Sequence, residues 1–509
     1  MGVQLRFGAA ILAAALVGAG ASPALAQKSA DTLRITMRDA LPNVDPYYNN
    51  LRTGVVMHHQ AWDGLVYRNP ETFKNEPLLA TEWKLPDSTT IEFTLRPGVK
   101  FHDGSAFTAD DVVYTLNLVS DPGSKVSTPA NYNWIEKAEK TGDLSVRVKL
   151  KRPTPAALDY FAMVVPIYPK AYREKVGAEG YAKAPVGAGP YKITKVEPGA
   201  SIDFERFEDY WAGSPKGKPA IKKMSVRFVP DATTEMTELL ASRADWIWNM
   251  NPDQFENVNK LPHIAAVRKE SMRVGYLSLD AAGRTGADNP ITKLKVRQAI
   301  WHAIDRQAMA DKLVTGGSRV PAAPCFPTQF GCNGEAATLY DYNPAKAKQL
   351  LAEAGYPDGF DLEVASYVLP QWGSAVQNYL IAVGIRAKLN QLQTAALIQK
   401  AKAGELRTYI GSWGSYSIND VSAFMPNFLD GGADDYARDP DVQKWLIEGG
   451  SSIDPEVRNK AYSAVIQRVT QQAYFAPLHT YVTTYGYSKQ LEFTPYSDEL
   501  PRFYLAKWK

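Results

Sequence analysis

The stretch from Arg273 to Gly317 sets the strongest limit on how this chain can fold. It opens with Arg273-Val-Gly-Tyr-Leu-Ser-Leu-Asp280, whose later half alternates large apolar with small or polar residues, the period-two pattern of a strand. A helix is expected next. Val296, Ala299, Ile300, Ala303, Ile304, Met309 and Leu313 fall close to helical spacing, Arg297, Asp305, Arg306 and Lys312 take other faces, and Gly316-Gly317 end the run. A strand followed by a docking helix in mid-chain suits a two-lobed protein, because the chain must pass between lobes through few residues. The segment is read as the first hinge.

The 509 residues carry a net charge of only +3, with basic residues scattered rather than gathered in runs. That balance suggests neither a nucleic-acid footprint nor a polybasic membrane patch. Residues 1–26 read as an export leader: Arg6 is the positive end, Phe7 to Gly20 the apolar stretch, and Ala24-Leu25-Ala26 the small-residue cleavage site. The mature chain is expected to begin at Gln27, without a following cysteine for a lipid anchor, and to work in a Gram-negative periplasm. Cys325 and Cys332 lie in a loop rich in Pro and Gly, and an oxidising compartment favours their pairing. Closing so short a loop contributes about 2 to 3 kcal/mol on the chain-entropy argument. No second Cys pair or spaced His pair accompanies them, so a metal site is a poor alternative.

In chain order, Thr32 to Met37 reads as a strand, and the loop after it carries Tyr47 and Tyr48, which either face a ligand or pack at the strand end. Ile91 to Phe101 alternates as a strand broken at Pro97-Gly98, and Thr108 with Asp111 forms an Asp version of the capping box ahead of a helix. Trp246 and Trp248 are two apart on a short strand and so share one face, suited either to stacking on a ligand or to filling a core. Near the end, a helix over Pro455 to Gln472 precedes a strand from Ala476 to Tyr487, read as the second hinge. Arg458, Lys460 and Arg468 are placed on a solvated face of that helix.

The blocks from Trp62 to Asn117, Pro185-Val-Gly-Ala-Gly-Pro-Tyr-Lys-Ile, Phe207-Glu-Asp-Tyr-Trp, Val296 to Arg306 and Tyr342 to Gly359 stand in one order along nearly the whole mature chain. In this they closely resemble the extracellular solute-binding proteins of family 5, which serve peptide, nickel and opine ABC importers. The resemblance implies an α/β fold of two periplasmic-binding-protein lobes (type II, large cluster C-like). The lobes would be 27–272 with 486–509, enlarged by a subdomain near 51–185, and 273–485. It also implies a monomeric receptor without cofactor that delivers a small peptide or peptide-like solute to an inner-membrane permease. In peptide binders of the family an aspartate just after a Trp-Gly pair holds the peptide amine. Here Ser415 and Tyr416 follow Trp413-Gly414, the nearest acid is Asp420, and no arginine for a dipeptide carboxylate appears between Ser366 and Trp372. An opine or sugar conjugate is therefore the alternative ligand. The walls implied by family position are Tyr47, Trp246, Trp248, Asn249, Tyr367, Trp372, Trp413, Tyr416, Asn419 and Asp420. Asp420 is cast as the anchor for a cationic or hydroxyl-rich group.

Catalytic readings find little support. His102-Asp103 reads as a turn, adjacent His58 and His59 point about 100° apart on a helix and cannot chelate together, and Gly187-Ala-Gly189 lacks the third glycine of a dinucleotide fingerprint. No Gly-x-Ser-x-Gly elbow, Walker loop or His-Glu-x-x-His occurs, which disfavours a secreted hydrolase and leaves binding as the function.

Overall fold

The computed structural model describes residues 31–49 and 51–509. The leader expected over 1–26 lies outside the described residues.

Ten strands form one mixed sheet through the middle of the molecule. Their order is Arg386–Gln391, Asp361–Ser366, Thr408–Trp413, Ile264–Leu279, Phe475–Ser488, Trp246–Trp248, Thr32–Met37, Lys223–Phe228, Ser201–Arg206 and Tyr191–Glu197. The two central strands are also the longest, at 16 and 14 residues. They run antiparallel to each other from the Ile264–Ser488 pair to the Ser278–Phe475 pair. At one end, Tyr485 to Tyr487 of the second strand takes Trp246–Trp248 as its outer neighbour; at the other, Val274 to Leu279 of the first takes Thr408–Trp413. Each end of this ribbon therefore belongs to a different lobe, and the ribbon is the hinge.

The ribbon is interrupted where it passes between the lobes. Ser271 pairs with Tyr481 and Val274 with the adjacent Thr480, so Met272 and Arg273 have no opposite partner. Such a bulge bends the strand and re-aims the side chains it carries. The sequence places this strand's start at Arg273, but it begins at Ile264. Its first half, with Arg268, Lys269 and Glu270, is mostly half-exposed and shows no clean alternation.

On each side the sheet continues through parallel pairs, the arrangement βαβ crossovers require, and on the first-lobe side it ends in the antiparallel strands Ser201–Arg206 and Tyr191–Glu197. Thr32–Met37 pairs parallel with Lys223–Phe228, and Asp361–Ser366 pairs parallel with Arg386–Gln391 through the helix Pro370–Ala382. The first lobe also carries a separate antiparallel sheet in the order Ala80–Asp87, Thr90–Leu95, Ser145–Leu150, Ile135–Gly142. The helix Ala109–Ser120 covers it, and at that helix's start Thr108 N donates to Asp111 Oδ2 at 2.8 Å. The single helix expected from Val296 to Gly316 is divided. Leu294–Ala303 ends at an extended Ile304, and the Asp305 carboxylate caps a new start by accepting from Ala308 N at 2.8 Å. A strong cap inside the apolar pattern thus overrides its periodicity.

Among the described residues no helix is long and apolar enough to cross a membrane. Cys325 and Cys332 form a disulfide, their Cα atoms 5.9 Å apart.

Candidate functional site

The bulge places Arg273 at the seam between the lobes. Its guanidinium meets Glu499, with Nη2 3.2 Å from Oε2, and Nη1 donates to Ser412 Oγ of the second lobe at 3.3 Å. Glu499 also faces Arg52, from the first turn of the helix Arg52–Ala61, at 3.6 Å, and accepts from Ser271 Oγ at 2.8 Å. Burial alone would raise the Glu499 carboxyl, but the two guanidiniums, Arg273 foremost, overcome it and hold the pKa below the usual range. Its neighbour Asp498 repeats the arrangement more deeply. Arg502 Nη2 lies 2.7 Å and Arg68 Nη2 3.2 Å from Asp498 Oδ2, and again the paired cations outweigh burial and lower the carboxyl pKa.

Two adjacent carboxylates thus gather four guanidiniums, leaving positive charge in excess. Asp159 also feels Arg68, but burial dominates there and raises its pKa towards the neutral acid.

The second lobe reaches this cluster with one loop. Thr408–Trp413 ends at Trp413, and a Cβ on Gly414 would lie 3.1 Å from both Arg52 Nη2 and Arg273 Nη2. A residue without a side chain lets both cations close on the backbone. Ser415, Tyr416 and Ser417 then all adopt left-handed conformations, φ 51°, 48° and 63°. Each such non-glycine residue costs on the order of 1–2 kcal/mol, and the first lobe supplies contacts that hold the run. Arg52 Nη1 donates to Ser417 Oγ at 2.7 Å, Arg68 Nη1 donates to the Ser417 carbonyl, and Ser417 Oγ donates to the Asp498 carbonyl at 2.5 Å. Strain of this kind is characteristically held at functional loops.

The residues expected as ligand walls separate into groups. Tyr47, Trp246 and Trp248 lie in the first lobe's core: Tyr47 donates its hydroxyl to the Pro166 carbonyl at 2.5 Å, and Trp246 is fully buried with its ring edge-on to Phe503 at 4.9 Å. Trp248 shares the face of Trp246 with ring centres 6.4 Å apart, and among the described residues its indole nitrogen has no hydrogen-bond partner. Asn249, exposed and left-handed, gives its carbonyl to Arg38. Trp372 is buried edge-on to Tyr481 at 4.9 Å, its indole nitrogen likewise without partner. Tyr367, half-buried, donates its hydroxyl to the Ser412 carbonyl at 2.8 Å, beside Arg273.

Only Trp413, Tyr416, Asn419 and Asp420 travel together, on the seam loop. Trp413, half-buried, donates its indole nitrogen to the Ala423 carbonyl at 2.9 Å and stands edge-on to Tyr416 at 5.1 Å, and Tyr416 packs into the first lobe's core. Asp420 does not offer a free carboxylate. Arg458 Nη2 lies 2.8 and 2.9 Å from its two oxygens, and Arg458, expected on a solvated face, is 5% exposed. Among the described residues, Ser415 Oγ and Asn419 Oδ1 of this loop are buried without a hydrogen-bond partner.

Sequence reasoning missed Arg52, Arg68, Arg273, Ser417 and the Asp498–Glu499 pair. Arg68 and Asp498 lie 430 positions apart, so no local pattern joins them; the one local sign is the i, i+4 pair Asp498 and Arg502. The catalytic lures resolve as structure. His102 accepts from Gly187 N at 3.1 Å through Nδ1 and pairs with the Gly189 carbonyl at 2.9 Å through Nε2, so it pins the glycine turn. Burial lowers its pKa to about 4. Among the described residues no cluster of three or more His, Cys, Asp or Glu could hold a metal ion.

The chain matches bacterial extracellular solute-binding proteins, family 5 Middle, over residues 74–436. It is 29% identical over 423 residues to the glutathione-binding protein GsiB of Pectobacterium atrosepticum, covering 80% of this chain and 79% of that one. It is 27% identical over 409 residues to heme-binding protein A of Haemophilus influenzae, covering 73% and 71%. The solved structure of AgaA in complex with agropinic acid, from A. tumefaciens R10, superposes with a TM-score of 0.78 at 26% identity, over 94% of this chain and 99% of that one.

Proposed function

The chain belongs to the bacterial extracellular solute-binding proteins, family 5, and from that premise we propose that it is the periplasmic receptor of an ABC importer, closing its lobes on a small peptide-like solute that carries a carboxylate. One observation carries the ligand class. Arg52 of the first lobe and Arg273 of the hinge bulge converge on Gly414 to Ser417 of the second lobe, while the one acid of that loop, Asp420, is held by Arg458. A site built to hold a ligand amine would present a free acid; this seam presents guanidiniums.

A solute carboxylate takes the place of Ser417 Oγ as the partner of Arg52 and adds Arg273, forming charge-assisted, fork-shaped hydrogen bonds in a desolvated place. Trp413 and Tyr416 supply the apolar wall and Asn419 Oδ1 an acceptor. A solute touching both lobes binds the closed form better than the open one and shifts the population towards the form the permease meets. No covalent step is involved. The export pattern of residues 1–26 supports the compartment, and the lobes are taken as 27–272 with 486–509 and 273–485. Glutathione, heme and agropinic acid, named with the relatives above, all carry carboxylates, which supports the class. The likeness to AgaA keeps an opine as the second reading.

The test is native mass spectrometry of the protein purified from periplasm without denaturation, followed by release and fragmentation of what is bound. In parallel, S-methylglutathione, simple opines and their methyl esters are screened for protection against heat. The expected result is an acidic solute and protection by acids but not by esters. A neutral or cationic solute, or protection indifferent to esterification, would sink the proposal.

A further inference from the structure

The seam loop rests on a second loop, 325–332, which the Cys325–Cys332 disulfide closes. Phe330 makes the main contact: its N donates to the Asn419 carbonyl at 3.0 Å, and Val421 N donates to the Phe330 carbonyl at 3.1 Å, a short parallel bridge of Phe330 with Asp420. Gln329 is buried, at 4% exposure. Its side-chain oxygen accepts from Phe326 N at 3.0 Å, and its amide nitrogen reaches the Ile418 carbonyl at 2.9 Å and the Asp420 carbonyl at 3.4 Å. The disulfide-closed loop therefore satisfies a backbone group on each residue from Ile418 to Val421. Arg458 completes the join, its guanidinium 4.4 Å from the Phe330 ring centre while it pairs with Asp420. Behind, Gly331 has φ 81°, and a Cβ there would come within 2.6 Å of the Tyr462 ring, so the loop is seated directly against the helix Pro455–Gln471.

We propose that the Cys325–Cys332 loop positions the solute-facing loop, with Gln329 and Phe330 as positioning residues that hold Ile418 to Val421 and so fix where Tyr416 and Asn419 stand. The inference rests on the reading that residues 413–420 face the solute. A free loop of this length would sample many shapes, and Ser415 to Ser417 would relax out of their left-handed run. The disulfide narrows that freedom locally.

Hydrogen exchange by mass spectrometry on the full chain tests this without any ligand. In Cys325→Ala/Cys332→Ala the amides of 415–423, Val421 above all, are expected to exchange at least tenfold faster, while the central strand Ile264–Leu279 keeps its native rate. Gln329→Ala, which leaves the disulfide intact, is expected to give a smaller change in the same peptides. Unchanged exchange in 415–423, or a rise shared equally by the central strand, overturns the proposal. With S-methylglutathione as the binding probe, affinity is expected to fall about tenfold in the double variant. If the native protein does not bind this probe, the exchange result alone decides the positioning role, and the ligand reading is decided separately by the screen of acids against their esters.

Discussion

Two aromatic pairs look alike in this sequence and have different fates in the fold. Trp246 and Trp248 share one face of a strand that lies between Thr32–Met37 and Phe475–Ser488, and both are covered. Trp413 ends its strand, and Gly414 with the left-handed run after it throws Tyr416 across the seam into the other lobe. Period two says which side chains share a face. Whether that face meets a core or a partner lobe depends on where the strand sits in the sheet and on what ends it.

The largest expected effect comes from breaking the buried pair. Trp246→Ala should lose about 3–5 kcal/mol of stability in urea unfolding. Trp413→Ala, half-buried, should lose roughly 1–2 kcal/mol, a part of the full side-chain burial term, yet weaken capture of acidic solutes where Trp246→Phe does not. Equal losses for both alanine variants would erase the distinction. Next, Asp420→Ala leaves Arg458 buried without its carboxylate and should cost about 3 kcal/mol, the lower end for breaking a buried ion pair. The conservative Arg458→Met with Asp420→Leu should restore much of it, since two apolar residues need no partner. Recovery would show that Asp420 serves the loop's footing and no ligand charge.

A smaller effect sharpens the seam side. Ser415→Gly relieves one left-handed residue and should stabilise the closed form by about 1 kcal/mol or less, read as a raised midpoint in thermal unfolding. A pH-dependent effect bears on the buried side only. Arg38 donates to the Trp248 and Asn249 carbonyls and pairs with Glu235, whose carboxyl burial raises to about 8 from an ordinary 4.5, with Arg38 pulling the other way. Between those two values the folded protein keeps a proton that the unfolded chain has released. Stability should therefore fall as pH rises from about 4.5 to 8 and level off outside that window. Urea midpoints at intervals across it should show this contribution vanish in Glu235→Gln.

Much of the architecture is legible in the sequence because it rests on local signals. The mid-chain strand, the capped helix at Thr108 and the Cys325–Cys332 pairing each follow from residues within a few positions of one another. The break at Ile304 was legible in principle, since Asp305 is a good cap, but the apolar period through Ile304 and Met309 concealed it. The seam was not legible for a different reason. Arg52, Arg273 and Glu499 are brought together by a bulge and by the return of the chain's end to the first lobe, and nothing beside any of them marks the others. Asp420 misled because a carboxylate near an expected cleft reads as an anchor until its buried partner is known.

In the proposed complex the solute lies against the Trp413–Asn419 loop with its carboxylate between Arg52 and Arg273. A crystal structure of the protein with its co-purified solute tests that most directly. Solute density with carboxylate oxygens within hydrogen-bond distance of both guanidiniums, and with Ser417 Oγ released from Arg52, is the predicted result. Density enclosed by Trp246 and Trp248, or a solute amine seated on Asp420 with Arg458 displaced, would contradict it.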